Sequence, residues 1–233
     1  MPELTDKKKN KTIIFVFGSP GSGKSSFVEY FIMPKLSNFK IFDPDKYINL
    51  LDKLGREKVV RSEEEKENKL NSIKTAIHRL KAEYDVPINL TDKQIMDMID
   101  RNVYMEGVDR VIENQLSIFM SQNKYSDIII DTTGTNFNKI SKYNDMARKN
   151  GYNVLFIKLR ADVKTSVISN LKRSRKVQID YQLSTIEKGN ELEVEYLKLG
   201  PDAYYVYDRD NNTLFKYINN ELVIKKQRLI KNY

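Results

Sequence analysis

Eight consecutive residues, Gly18-Ser19-Pro20-Gly21-Ser22-Gly23-Lys24-Ser25, carry the most specific chemistry in the chain. A glycine, four residues and then Gly-Lys-Ser is the pattern of a backbone loop that wraps a polyphosphate. Its glycines let the chain bend until successive N–H groups face one anion, and a helix starting at Lys24 adds the positive end of its dipole. Lys24 is expected to reach the β and γ phosphates of a nucleoside triphosphate, and Ser25, followed by Ser26, to offer a hydroxyl to Mg²⁺. ATP and Mg²⁺ are the cofactors this predicts, with Gly18 to Ser26 as the binding residues.

Asp131 ends the apolar run Asp127-Ile-Ile-Ile-Asp131, where a loop of this kind needs a carboxylate near the metal and its waters. An Asp there also serves as the cap of the following turn. The next residue is Thr132 rather than a Glu that would activate water, which disfavours hydrolysis as the main activity. Asp131-Thr-Thr-Gly134 fits one GTPase element, but no Asn-Lys-x-Asp guanine-reading motif occurs in the chain. A transfer enzyme needs a base to orient an acceptor hydroxyl, and Asp43 and Asp45 are the carboxylates available. Asp45 is the preferred catalytic base. Asp43 is better explained as a helix N-cap ahead of Pro44, and the helix dipole would favour Asp45 as well. Lys172, Arg173, Arg175 and Lys176 end a helix and enter a loop, where a lid would bring Arg173 or Arg175 over the transferring phosphoryl group. The same cations also complement a helix C-terminus. His78, the only histidine, falls beside an apolar stripe and reads as solvated surface; Tyr204, Tyr205 and Tyr207 read as strand packing rather than base stacking.

These residues need a sheet edge to hold them. Thr12 to Phe17 reads as a buried strand before the loop, with a helix from Lys24 that ends near Pro34. Lys40 to Phe42 is a second short strand. Leu70, Ile73, Ile77, Leu80 and Tyr84 recur at steps of three and four, the stripe of an amphipathic helix. Thr91 with Gln94 has capping-box spacing for another helix, and a third is predicted from about 104 to 121. Strand 127–131, a helix to about Asn150 stopped by Gly151, strand 153–159, a helix over 161–173 and a helix over 181–199 follow. Alternating strands and helices predict an α/β fold, a mainly parallel sheet covered on both faces. Segments 203–207, 213–218 and 222–226, separated by Asn-rich turns, predict a C-terminal antiparallel β-meander. The expected organisation is one domain over 1–233, with 12–54 and 122–200 as nucleotide-binding core, 55–121 as a helical insertion and 201–233 as the meander.

Composition excludes several classes. The 233 residues suffice for a real core, and 40% hydrophobic content is too high for a disordered chain. No apolar run reaches the roughly 18 residues of a membrane helix and the start lacks a signal-peptide pattern, so a cytoplasmic protein is expected. The absence of cysteine excludes disulfides and thiolate metal sites. Net charge is +8; residues 1–12, 158–176 and 225–231 carry +2, +6 and +4, leaving −4 for the rest. Such clustering suits a polyanionic partner, although lysine-rich surfaces also simply keep proteins soluble.

Over residues 12–54 and 127–195 the chain resembles the P-loop kinases grouped around polynucleotide 5′-hydroxyl kinase and the zeta toxins. Gly18 to Ser25 matches the family's nucleotide loop, and Phe42-Asp43-Pro44-Asp45-Lys46-Tyr47 is similar to its second-strand segment, which aligns Asp45 with the catalytic base. Asp131-Thr132 resembles the family's Asp-Thr-Asn, and Asn170 to Asp180 its Arg-rich lid, with Arg173 and then Arg175 as counterparts of a lid arginine. Where polynucleotide kinases carry an Arg that contacts the acceptor phosphate, this chain has Ile48. The resemblance implies transfer of the γ-phosphoryl group of ATP to a hydroxyl, with a nucleic-acid 5′-hydroxyl as first choice. A nucleotide sugar, a hydroxymethylated base in DNA or a free nucleotide are the other acceptors, and an ATP-binding regulator without transfer activity is the non-enzyme alternative.

Overall fold

Thr12–Phe17 (β1) is apolar along its length because both of its faces are covered; Ile13, Ile14, Phe15 and Val16 have no solvent exposure. It is the centre of the computed structural model, which describes residues 11–44, 47, 61–101, 108–122, 127–173, 176–218 and 221–227. The other strands are Phe39–Phe42 (β2), Asp127–Thr132 (β3), Asn153–Arg160 (β4), Ala203–Asp208 (β5), Thr213–Ile218 (β6) and Glu221–Gln227 (β7). The sheet order is β2-β3-β1-β4-β5-β6-β7. The first five are parallel, and β6 and β7 add on antiparallel beyond β5. The fold is thus α/β with a mainly parallel sheet, as the alternating pattern predicts. β5 joins the parallel set by pairing with β4, so only its far edge begins the antiparallel meander.

The helices are Lys24–Phe27 (α1), Glu63–Tyr84 (α2), Asp92–Arg101 (α3), Val108–Gln122 (α4), Phe137–Lys149 (α5), Val163–Leu171 (α6), Ile179–Glu191 (α7) and Glu193–Lys198 (α8). α1 continues through a π-helical turn, Val28–Ile32, and a 3-10 turn, Met33–Lys35, where Pro34 removes a donor and Leu36 turns extended. One face of the sheet, carrying Phe15, Phe17, Ile130 and Phe156, packs under α4, α5 and α8. The other, carrying Ile14, Val16, Ile129 and Ile157, packs on Phe27, Val28 and Ile32. Alternation of inward side chains along each strand makes both layers possible.

The stripe on α2 buries Ile73, Ala76 and Leu80 against α3, α6 and α7. Thr91 and Gln94 cap α3 reciprocally, as their spacing predicts, and Ser62 and Glu65, not singled out from the sequence, do the same for α2. The single helix expected over 181–199 is two: Leu192, near ψ −5°, breaks it just after Gly189-Asn190, two residues that hold a helix weakly. After β2, the Tyr47 N–H donates to the Asp43 carbonyl at 3.3 Å, the first helical bond after Pro44. The Tyr47 hydroxyl donates to Gln115 on α4 at 2.6 Å, tying the end of β2 to the helical layer. Among the described residues no helix is long and apolar enough to cross a membrane.

Candidate nucleotide site

β1 lies between β3 and β4, so the chain leaves β1 at the point where connections depart to opposite sides, the crevice in which open α/β sheets bind ligands. The segment that leaves there is Gly18 to Gly23. Gly21, at φ +85°, sits so close to α6 that an added Cβ would lie 2.1 Å from the Ser166 carbonyl oxygen. Gly23, at φ +93°, occupies the N-cap of α1, a left-handed position that glycine adopts without strain. Inside the turn the Ser22 N–H donates to the Ser19 carbonyl at 3.1 Å, and the Phe27 N–H to the Gly23 carbonyl at 2.9 Å. The result is a closed loop seated on a helix N-terminus.

The Lys24 ammonium folds back across this loop, donating to the Gly18 carbonyl at 2.7 Å and lying 4.0 Å from Asp131 Oδ1. β3 and β1 are in parallel register, with Asp131 opposite Val16, and this brings the carboxylate to the loop. Lys24 and Asp131 are both largely covered, each side chain 13% exposed. Ser25 and Ser26 are exposed on the first turn of α1, while Ser22 is buried with its hydroxyl turned in beneath Gly18. The expected binding residues Gly18 to Ser26 are therefore contiguous with Asp131 at one edge of the sheet.

Asp45 and Arg175 lie outside the described residues. Arg173 is exposed just past α6, its N–H donating to the Asn170 carbonyl at 3.1 Å. Asp43 is placed as expected at the start of a helical turn. His78 is exposed on α2, and Tyr204, Tyr205 and Tyr207 are buried in β5, packing residues as read. Burial pushes the Tyr204 hydroxyl well above its ordinary range.

The basic stretch 158–176 falls into two parts. Lys158 points into the sheet's α8 face, where its ammonium donates to Glu193 at 2.7 Å and to the Gly189 carbonyl at 2.8 Å. Burial lowers its pKa, and Glu193 offsets part of that. Burial alone would raise the Glu193 carboxyl, but hydrogen bonds from Arg160 and Lys158 outweigh it and hold the group below its ordinary value. Lys164 pairs with Asp85 at 3.1 Å. Part of that charge is thus paired with Glu193 and Asp85, and Lys172 and Arg173 are exposed just past α6. Between this ion cluster and the loop runs a cleft of about 460 Å³, bounded by Gly18 and Ser19, by Thr133 and Gly134, by Lys158 to Asp162 and by Asn190, Glu193 and Tyr196. The Tyr196 hydroxyl donates to the Gly134 carbonyl at 2.6 Å and fixes one wall.

Ser166, Gln182 and Arg209, which sequence reasoning did not single out, touch the loop from behind. The Pro20 carbonyl accepts from Ser166 Oγ at 2.8 Å and from Gln182 Nε2 at 2.7 Å. The Gln182 side-chain oxygen accepts from Asn170 at 2.9 Å. Arg209, in the β5–β6 turn, donates to the Gly21 carbonyl at 2.9 Å and to Ser169 at 3.2 Å. The contacts to the loop span 146 to 188 positions of sequence, so no local pattern announces them.

Comparison with known proteins agrees with this architecture. No family model and no curated protein sequence matches the chain. Among solved structures, the PezAT chromosomal toxin–antitoxin system of Streptococcus pneumoniae is similar with a TM-score of 0.51 at 14% identity, over 96% of this chain and 75% of that one. A second, AvrRxo1-ORF1 in complex with AvrRxo1-ORF2 and sulphate ions, has a TM-score of 0.50 at 13% identity, over 92% of this chain and 61% of that one. At such identities the likeness is one of fold, an α/β arrangement around a mainly parallel sheet.

Proposed function

We propose that the chain is a kinase that transfers the γ-phosphoryl group of ATP to a hydroxyl acceptor. The observation that carries this is the position of Lys24, over the Gly18 carbonyl and 4.0 Å from Asp131 at the head of a closed loop. An ammonium in that place is ready to exchange loop carbonyls for phosphate oxygens. The loop amides and the N-terminus of α1 would hold the β and γ phosphates.

Mg²⁺ fits the donors present. It binds through one or two protein oxygens together with phosphates and waters, and the Ser25 hydroxyl and Asp131 carboxylate are hard oxygen donors on adjoining elements. When bound it would neutralise charge on the phosphate oxygens. Asp45, in the segment after β2, is proposed as the base that accepts the acceptor's hydroxyl proton while the new O–P bond forms and the bond to the ADP leaving group breaks. Arg173 and Arg175 are proposed to stand over the transferring group from the α6–α7 connection.

A nucleic-acid 5′-hydroxyl remains the first choice of acceptor, supported by the resemblance of the Asp43 to Tyr47 segment and by the exposed cations near Arg173. A nucleotide sugar is the second, supported by the resemblance of the loop and lid segments to those of the zeta toxins. The test is γ-labelled ATP offered with oligonucleotides, nucleotides and nucleotide sugars. Transfer of label to one acceptor class, lost in Asp45→Asn with ATP binding retained and lost together with binding in Lys24→Ala, is the expected result. Label appearing only in inorganic phosphate would overturn the kinase reading.

A further inference from the structure

Ser166, Asn170 and Gln182 come from two helices and have no solvent exposure at all. Three polar side chains so buried are costly unless every group is paired, and these are paired with one another. Asn170 holds both polar groups of Val177, donating to its carbonyl at 2.8 Å and accepting from its N–H at 2.9 Å, which closes the connection between α6 and α7. It also donates to Gln182 at 2.9 Å, and Gln182 donates to Ser166 Oγ at 3.2 Å and to the Pro20 carbonyl at 2.7 Å. Ser166 adds its own hydrogen bond to the same carbonyl. The network meets the phosphate loop at its apex, where the Pro20 carbonyl accepts twice, and beside it at Ser19, whose hydroxyl lies 3.0 Å from Ser166 Oγ.

Resting on the nucleotide-binding reading, we propose that Ser166 and Gln182 are positioning residues that aim the loop's anion-binding amides. The Pro20–Gly21 peptide is planar and trans, so its C=O and its N–H point in opposite directions. Two buried donors holding the Pro20 oxygen toward α6 and α7 therefore turn the Gly21 N–H away from them, to the side on which the loop faces a ligand. Gly21 has no Cβ to resist this, and α6 approaches too closely to allow one. The same chain of bonds fixes Asn170 and Val177, so the loop apex and the anchors of the α6–α7 connection hold one orientation together.

The test is the equilibrium affinity for magnesium–ATP of the full chain and of Ser166→Ala, Gln182→Met and the double variant, measured well below the thermal transition of each. Each single substitution leaves one donor on the Pro20 carbonyl and is expected to weaken ATP binding about threefold; the double releases the peptide and is expected to weaken it about thirtyfold or more, beyond the product of the singles. A purely structural role would lower the melting temperature and leave the affinity of the folded protein unchanged, and that result overturns the proposal, as does a double variant no worse than the product. Should Gln182→Met fail to fold, Ser166→Ala decides alone: parental affinity contradicts the proposal. Failure of the parent chain itself to bind ATP would remove the nucleotide-binding reading on which this rests, and is distinguished because every variant would then be equally inert.

Discussion

Gly21 concentrates the demands of the site in one residue. Its φ of +85° is a region that L side chains enter with strain, and a Cβ would meet the Ser166 carbonyl at 2.1 Å, a backbone atom that cannot swing away. Gly21→Ala is expected to destabilise the fold by about 2 kcal/mol and to weaken ATP binding more than tenfold, because either the loop or α6 must move. Urea denaturation together with ATP titration checks both parts; a stable variant of parental affinity would show that the loop is not pinned as described. At this scale the glycines, Lys24 and Ser25 are legible from spacing alone. Arg209 and Gln182 are not, since a turn arginine and a helical glutamine acquire their meaning only from a carbonyl far away in sequence.

Among the elements, β4 and α8 are joined by charge. Lys158 follows Val154 and Phe156 on the same face of β4 and is buried there, although the sequence counts it only within a basic cluster. Glu193, at the start of α8, receives both Lys158 and Arg160. Glu193→Gln keeps the shape but leaves the Lys158 charge without a counter-ion, and is expected to lose roughly 2 kcal/mol near neutral pH. The Glu193 carboxyl is held below its ordinary value of 4.5, so the unfolded state binds its proton first as pH falls. The contribution is therefore full above about pH 4.5 and disappears as pH drops through the lower folded value. Thermal unfolding of parent and variant should show a gap in melting temperature at neutral pH that narrows in acid; a gap that widens would contradict the assignment. The break of the last long helix at Leu192 escapes periodicity because apolar spacing continues through it, and the weakness lies in the backbone preference of Gly189-Asn190.

Over the whole molecule, strand order does what no single element can. Sequence alternation predicts parallel strands and covering helices, and the capping spacing of Thr91 and Gln94 locates one of those helices. The apolar run ending at Asp131 is expected beside β1 and near the loop, but nothing in the sequence predicts β4 on the other side of β1, the order that sets α6 and α7 behind the loop. The buried centre of the sheet, β1 with Ile128, Ile129, Val154 and Phe156, supplies the rigid frame; β7, with Leu222 and Val223 exposed, forms its outer edge. Amide hydrogen exchange should therefore be slowest in β1, β3 and β4 and faster at β7. The same method addresses the claim on which everything else depends, that the backbone between Gly18 and Ser25 holds the phosphates of ATP. Addition of ATP with magnesium is predicted to slow exchange of the amides of Ser19 and Gly21 to Ser25 in the parent chain and to leave them unchanged in Lys24→Ala; exchange in that loop that is indifferent to ATP in the parent would contradict the account.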